Sequence, residues 1–363
     1  MKNNRTIIIF LAIVLVFVTI IAFQDKKPVA SKISIGAVIP QTGFGSYWGK
    51  PVLMGIDLAR EDLAMAYGAE NVSILVEDGQ SSVPASVNAA QKLLSIDKVD
   101  AIYSEFSGMS SAISPLAKAE GKVLMYSTFN QKIAEDNETS IKTFISYETA
   151  CEAFAKRISD PAAKILIISA ISDAAPYCQL ALSRHYKTEN IKVVEGFAGN
   201  DFRTLLLQNK SFDPGYIIPI MYEDGSFALI KQKNEMGLKA KLFCYRQDCV
   251  TEKNLTALPK AYTEGTLFFE VLIDQKFADM VRAKYPNISN DDLQAVANSY
   301  QSIMALGEGL AACTDKTAAC VVKNIGNKSS LDHAAYKNAK FVNRVLVSEL
   351  AIGFVSGGVA STK

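Results

Sequence analysis

Histidine is nearly missing from this chain, which has two in 363 residues, His185 and His333. Tryptophan occurs once, as Trp48, and there is no CxxC pair, GxSxG elbow, P-loop or HExxH pattern. Each absence removes a chemistry. A structural or catalytic zinc draws on histidine and clustered cysteine, so no metal or other cofactor is expected. A serine hydrolase needs one of the two histidines beside its nucleophile, and His185 falls late in a helical stretch amid Arg184 and Lys187, the setting of a solvated face. The chain is therefore read as non-enzymatic. There is no basic run, heptad array or low-complexity segment either. Nucleic acid is not an expected partner, because phosphate binding needs a concentrated basic surface.

Only one long apolar run is present. Lys2 and Arg5 precede Ile7 to Phe23, an uncharged stretch that fits a secretory signal core or a short membrane anchor. Residues 1–30 are read as that address, and membrane association through 7–23 depends on whether it is kept. Ala30 and Ser31 are small, as a cleavage site requires, but Pro28 is not. A lipid-modified N-terminus is disfavoured because the first cysteine is Cys151. Either way the remainder lies outside the cytoplasm, in a periplasmic or extracytoplasmic setting. Setting aside Lys2, Arg5, Lys26 and Lys27 against Asp25 turns a formal charge of +1 into −2.

Export gives the six cysteines a disulfide reading. Cys244 and Cys249 are close in sequence, as are Cys313 and Cys320, while Cys151 and Cys178 begin neighbouring helical stretches. Those three pairings are expected, although six cysteines allow other connectivities.

What is abundant is short apolar runs. VSILVEDGQ, VDAIYSEF and KVLMYSTF are each about strand length and end in polar residues. Between them Val83, Val87, Ala90 and Leu94, then Ile113, Leu116 and Ala117, mark helical faces. Strand, helix, strand, helix, strand implies a parallel sheet with right-handed crossovers, which takes its ligands beyond the carboxyl ends of its strands. Upstream, SKISIGAVIPQTG is a strand running into a loop, 43–49, that carries Trp48, and a helix with Ile56, Ala59, Leu63 and Tyr67 on one face follows. Trp48 could cap an apolar ligand group or anchor its own loop. KILIISA, IKVVEGFA, YIIPIMY and LKAKLFC supply four more strands, enough for a second lobe.

The order ISIGAVIPQTG, YWGKPVLMGIDLA, VEDGQ, AAQKLL, VDAIYSEFSGMSSA, LMYSTF, with DFRTLLLQ and YIIPIMYEDGSFALIKQKNEMGLKA later, resembles the type I periplasmic solute-binding family. Its branch with the leucine/isoleucine/valine-binding proteins is the one matched, over about Ile33 to Ala312. The resemblance implies an α/β fold of two lobes, each a mainly parallel sheet flanked by helices, joined by crossing hinge strands. Lobe 1 is expected at 31–145 plus 270–337 and lobe 2 at 146–269 plus 338–363. It further implies a receptor that closes around a small polar solute, an amino acid or a related compound, and delivers it to an ABC-type membrane permease. A membrane-anchored sensor signalling to another partner is the alternative.

Ser107, Gly108, Ser110 and Ser111 fall where a strand hands over to a helix, so hydroxyls and free N–H groups converge with the positive end of the helix dipole. Serines there also serve as caps. The resemblance adds Ser127, Thr128, Phe129, Asn130 and Gln131 from the next strand end, Trp48 over the ligand side chain, and Tyr177 and Tyr222 closing from the second lobe. It also implies an acid after the LFC strand to receive an amine. Here Arg246 stands at that place and Asp248 two residues on, so either Asp248 takes the role or the ligand is not a standard α-amino acid.

Overall fold

The computed structural model describes residues 32–158, 160–170, 174–195, 199–331 and 333–362. The address segment 1–30 lies outside these. Among the described residues no helix is long and apolar enough to cross a membrane.

Among the described residues fourteen strands form two seven-stranded sheets. The first contains β1 (Ile33–Ile39), β2 (Val72–Asp78), β3 (Ala101–Glu105), β4 (Val123–Ser127) and β5 (Ser140–Lys142). The second contains β6 (Ile165–Ser169), β7 (Ile191–Val194), β8 (Tyr216–Ile220), β9 (Lys241–Tyr245) and β10 (Leu267–Val271). β11 (Lys340–Val342) and β12 (Val345–Val347) complete the first sheet, and β13 (Leu350–Ser356) and β14 (Val359–Thr362) the second. Strand order is β11-β12-β5-β4-β3-β1-β2 in one and β14-β13-β10-β9-β8-β6-β7 in the other. All pairs are parallel except β11 with β12, β10 with β13 and β13 with β14. Each lobe is thus doubly wound, with the chain reversing direction beside its first strand, the place where such sheets leave a crevice.

The apolar runs are continuous because both sheet faces are covered. Ile33, Ile35, Ala37 and Ile39 pack on one side against the long helices Ser46–Tyr67 and Asn290–Ala311, while Val38, Ile102 and Leu124 pack on the other with Leu93, Ile113 and Ala117. In the helix Val83–Gln91 the inward face is Ser86, Ala89 and Ala90, followed by Leu93 and Leu94 in the next turn; Val83, expected inside, is exposed.

The chain crosses between lobes three times, after β5, after β10 and between β12 and β13. This moves two of the expected borders. β10 belongs wholly to the second sheet, so the return crossing follows Val271 and does not fall at 269/270. Lys340–Val342 and Val345–Val347 join the first sheet, with Val345 paired to Lys142 and with Phe341 and Leu346 buried, so they do not belong with 348–362. Trp48 also moves: it stands in the first turn of Ser46–Tyr67, which begins earlier than Gly49 and Pro51 suggested. A Cβ on Gly49 would lie 2.0 Å from the Pro40 carbonyl oxygen, so glycine lets this turn seat directly on the end of β1.

The three disulfides are Cys151–Cys178, Cys244–Cys249 and Cys313–Cys320, the expected pairs.

Candidate functional site

A cavity of about 160 Å³ opens between the two sheets, at the carboxyl ends of β3, β4, β8 and β9. From the first lobe Trp48, Glu105, Phe106, Ser107, Ser127 and Phe129 reach it; from the second come Tyr222, Tyr245, Gln247 and Asp248. Of the expected site residues, Trp48, Ser107, Ser127, Phe129, Tyr222 and Asp248 therefore meet at one place, and Thr128 joins them.

Gly108, Ser110, Ser111, Asn130, Gln131 and Tyr177 do not line it. Tyr177 donates from its hydroxyl to Glu135 Oε2 at 2.7 Å, tying the lobes together away from the cavity. Asn130 braces its own loop: its N–H donates to Thr128 Oγ1 at 3.0 Å, its Nδ2 to Ser111 Oγ at 3.2 Å, and its Oδ1 accepts from the Lys132 N–H at 2.9 Å. Gly108 lies one residue inside the helix Ser107–Ala119, where a Cβ would meet only Val83 Cγ2 at 3.6 Å. Ser110 is likewise turned inward, 2.7 Å from Ser104 Oγ.

The polar centre of the first lobe is Glu105, the last residue of β3, which sequence reasoning passed over. It is 2% exposed, accepts from Trp48 Nε1 at 3.2 Å, and accepts from the Tyr103 hydroxyl. Burial pushes its carboxyl up to about 7, against hydrogen bonds from Tyr103, Trp48 and Ser127 that favour the ionised form. An acid ending a run as apolar as VDAIYSEF was the visible signal. The next residue, Phe106, takes φ +63, a conformation a side chain rarely adopts, and this sets its ring 5.4 Å from Tyr222 across the cavity mouth.

In the second lobe Arg246–Cys249 is a single turn closed by the Cys244–Cys249 bridge and by Asn254 Nδ2, which donates to the Asp248 and Cys249 carbonyls at 3.2 and 3.0 Å. That turn presents Gln247 and Asp248 to the cavity. Asp248 Oδ2 and both amide atoms of Gln247 are buried with no hydrogen-bond partner among the described residues. Burial, then the Glu223 carboxylate, hold the Asp248 carboxyl well above its usual range. Arg246 turns away, with Nε 3.5 Å from Glu270 and a terminal nitrogen 3.6 Å from Asp291. At the place expected to receive an amine, the cavity is met by Asp248 and not by Arg246.

Neither histidine lines the cavity; His185 Nε2 sits 2.9 Å from Glu152 on the surface of the second lobe. Among the described residues no group of histidine, cysteine and acid side chains is placed to hold a metal ion.

The sequence model of a family described as periplasmic binding protein matches residues 32–348. A search of curated proteins finds no match. Solved structures match in fold. The leucine binding protein LivK of Thermotoga maritima superposes with a TM-score of 0.76 at 18% identity, covering 91% of this chain and 97% of that one. A solute binding protein of an R. palustris ABC transporter, in complex with 4-hydroxybenzoate, gives 0.75 at 18%, covering 91% and 95%. LivJ of Streptococcus pneumoniae, in complex with isoleucine, gives 0.73 at 16%, covering 92% and 99%.

Proposed function

We infer, from the premise that this chain belongs to the periplasmic binding protein family, that it is an extracytoplasmic receptor which closes its two lobes on a small solute and hands it to an ABC-type permease. The observation that carries the reading is the cavity itself. Aromatic rings from both lobes wall it, and Gln247 and Asp248, which line it, carry buried polar atoms with no partner among the described residues. Such atoms cost free energy until something pairs them, so a solute bridging the lobes stabilises the closed arrangement. Trp48, Phe129 and Tyr222 would then pack on its apolar part, and Ser107, Ser127 and Asp248 would meet its polar groups. No bond-making step is needed for this work.

Small-angle scattering of the purified protein tests it. A solute that raises the melting temperature should also reduce the radius of gyration, since a ligand selective for the closed form shifts the population toward it. Stabilisation by a solute that leaves the radius unchanged would count against closure. Delivery is tested separately, by solute uptake into vesicles that carry the permease and depend on this protein.

A further inference from the structure

We propose that the solute is an organic cation: an amine carried on a flat apolar body, with no carboxylate. This rests on the receptor reading above and narrows it.

The charges around the cavity carry the argument. Among the described residues five acidic side chains line it, those of Glu105, Glu223, Asp248, Asp291 and Asp292, against one ammonium, Lys253. Lys253 Nζ is already 3.0 Å from Asp224 and 3.5 Å from Glu223. Arg246, the guanidinium behind the wall, faces Glu270 and Asp291. Glu105 and Asp248, one from each lobe, are left buried with no cationic partner among the described residues. Burying another anion beside them would be costly, whereas a cation supplies the missing counter-charge.

Three of the first lobe's donors are engaged by the protein's own acid: Trp48 Nε1, the Tyr103 hydroxyl and the Ser127 hydroxyl donate to Glu105. Ring faces complete the match, since aromatic walls attract a cation and bury its apolar body. Phe129 and Phe144 lie 4.8 Å apart and each is within 6 Å of Tyr245, so one side of the cavity is a block of rings. The buried Gln247 amide remains to pair with a hydroxyl or similar substituent.

Calorimetry with three 4-hydroxyphenyl probes tests the charge: tyramine, its neutral isostere 2-(4-hydroxyphenyl)ethanol, and the shorter anion 4-hydroxybenzoate. Tyramine should bind at least tenfold more tightly than either of the others. Asp248→Asn and, separately, Glu105→Gln should each weaken tyramine at least tenfold more than they weaken the neutral analogue. The comparison of probes on the unaltered protein does not depend on either variant folding. Equal affinity for the alcohol, tighter binding of 4-hydroxybenzoate, or no binding of tyramine overturns the cation. If another solute still compacts the protein in scattering, the receptor reading survives that result; if stabilising solutes leave the radius unchanged, closure falls independently of charge.

Discussion

At the scale of single residues, Glu105 joins a buried position to a titration within the range a cell experiences. Its carboxyl is pushed up to about 7 from an ordinary value near 4.5. Tyr103, Trp48 and Ser127 face it as donors, Tyr222 and Tyr336 face it as further phenols, and among the described residues no cation does. Between those values the folded protein holds a proton that the unfolded chain has released, so stability falls as pH rises from about 4.5 through 7. The full loss is on the order of 3 kcal/mol. Urea unfolding at pH 5 and pH 8 should show Glu105→Gln shrinking this difference by a comparable amount; Asp248 acts in the same direction, so the test is the variant against the parent. An unchanged difference would mean that Glu105 does not titrate in this window. Trp48→Phe removes a hydrogen bond that favours the ionised form, and should therefore move the transition to higher pH.

At the scale of elements, the helices Ser46–Tyr67 and Asn290–Ala311 are closely seated on each other. A Cβ on Gly55 would lie 2.3 Å from the Val296 carbonyl oxygen, and one on Gly307 2.5 Å from a Leu63 methyl. Glycine at both contacts lets the helices touch nearly backbone to backbone. Gly55→Val should cost about 3 kcal/mol by overpacking, read as a lowered urea midpoint, with a result near zero showing that the helices separate freely. The disulfides rank by the chain they enclose: Cys151–Cys178 spans 27 residues and Cys244–Cys249 only 5. Loop entropy gives about 3.5 and about 2 kcal/mol respectively, so the Cys151→Ala/Cys178→Ala pair should be the more destabilised of the two double variants. These features differed in how plainly the sequence carried them. β1, β3 and β4 were legible because each is a full-length apolar run with polar ends. β5 and β11 were not, because a three-residue strand carries too little periodicity to read. β5 even ends in Lys142, which reads as surface. Its ammonium is instead buried, donating to the Phe144 and Ile145 carbonyls where the chain leaves for the second lobe, and burial lowers it to about 7.

For the whole molecule, what separates the lobes and what joins them use the same kind of side chain. A run of rings, Phe129, Phe144, Tyr147, Tyr245 and Phe269, continues from the cavity wall into the second lobe's core through contacts of 4.6 to 5.8 Å. At the opposite side of the cavity, Tyr222 meets Phe106 at 5.4 Å and Phe44 at 6.2 Å. The family resemblance implied Trp48, Phe129, Tyr222 and Asp248, which follow strand ends in its pattern. It did not point to Glu105 or Gln247, whose roles depend on which atoms lack partners in three dimensions. The crossing rings are part of a continuous core and should persist when the lobes open, whereas the Tyr222 contacts span the mouth and should form only on closure. A double-mutant cycle separates the two sets. Tyr222→Ala with Phe106→Ala should show a coupling of about 0.5–1.5 kcal/mol in the binding of a solute that compacts the protein, and almost none in the urea stability of the free protein. Coupling of equal size in both measurements would mean that the mouth is held shut without a solute, and that closure is not what the solute brings about.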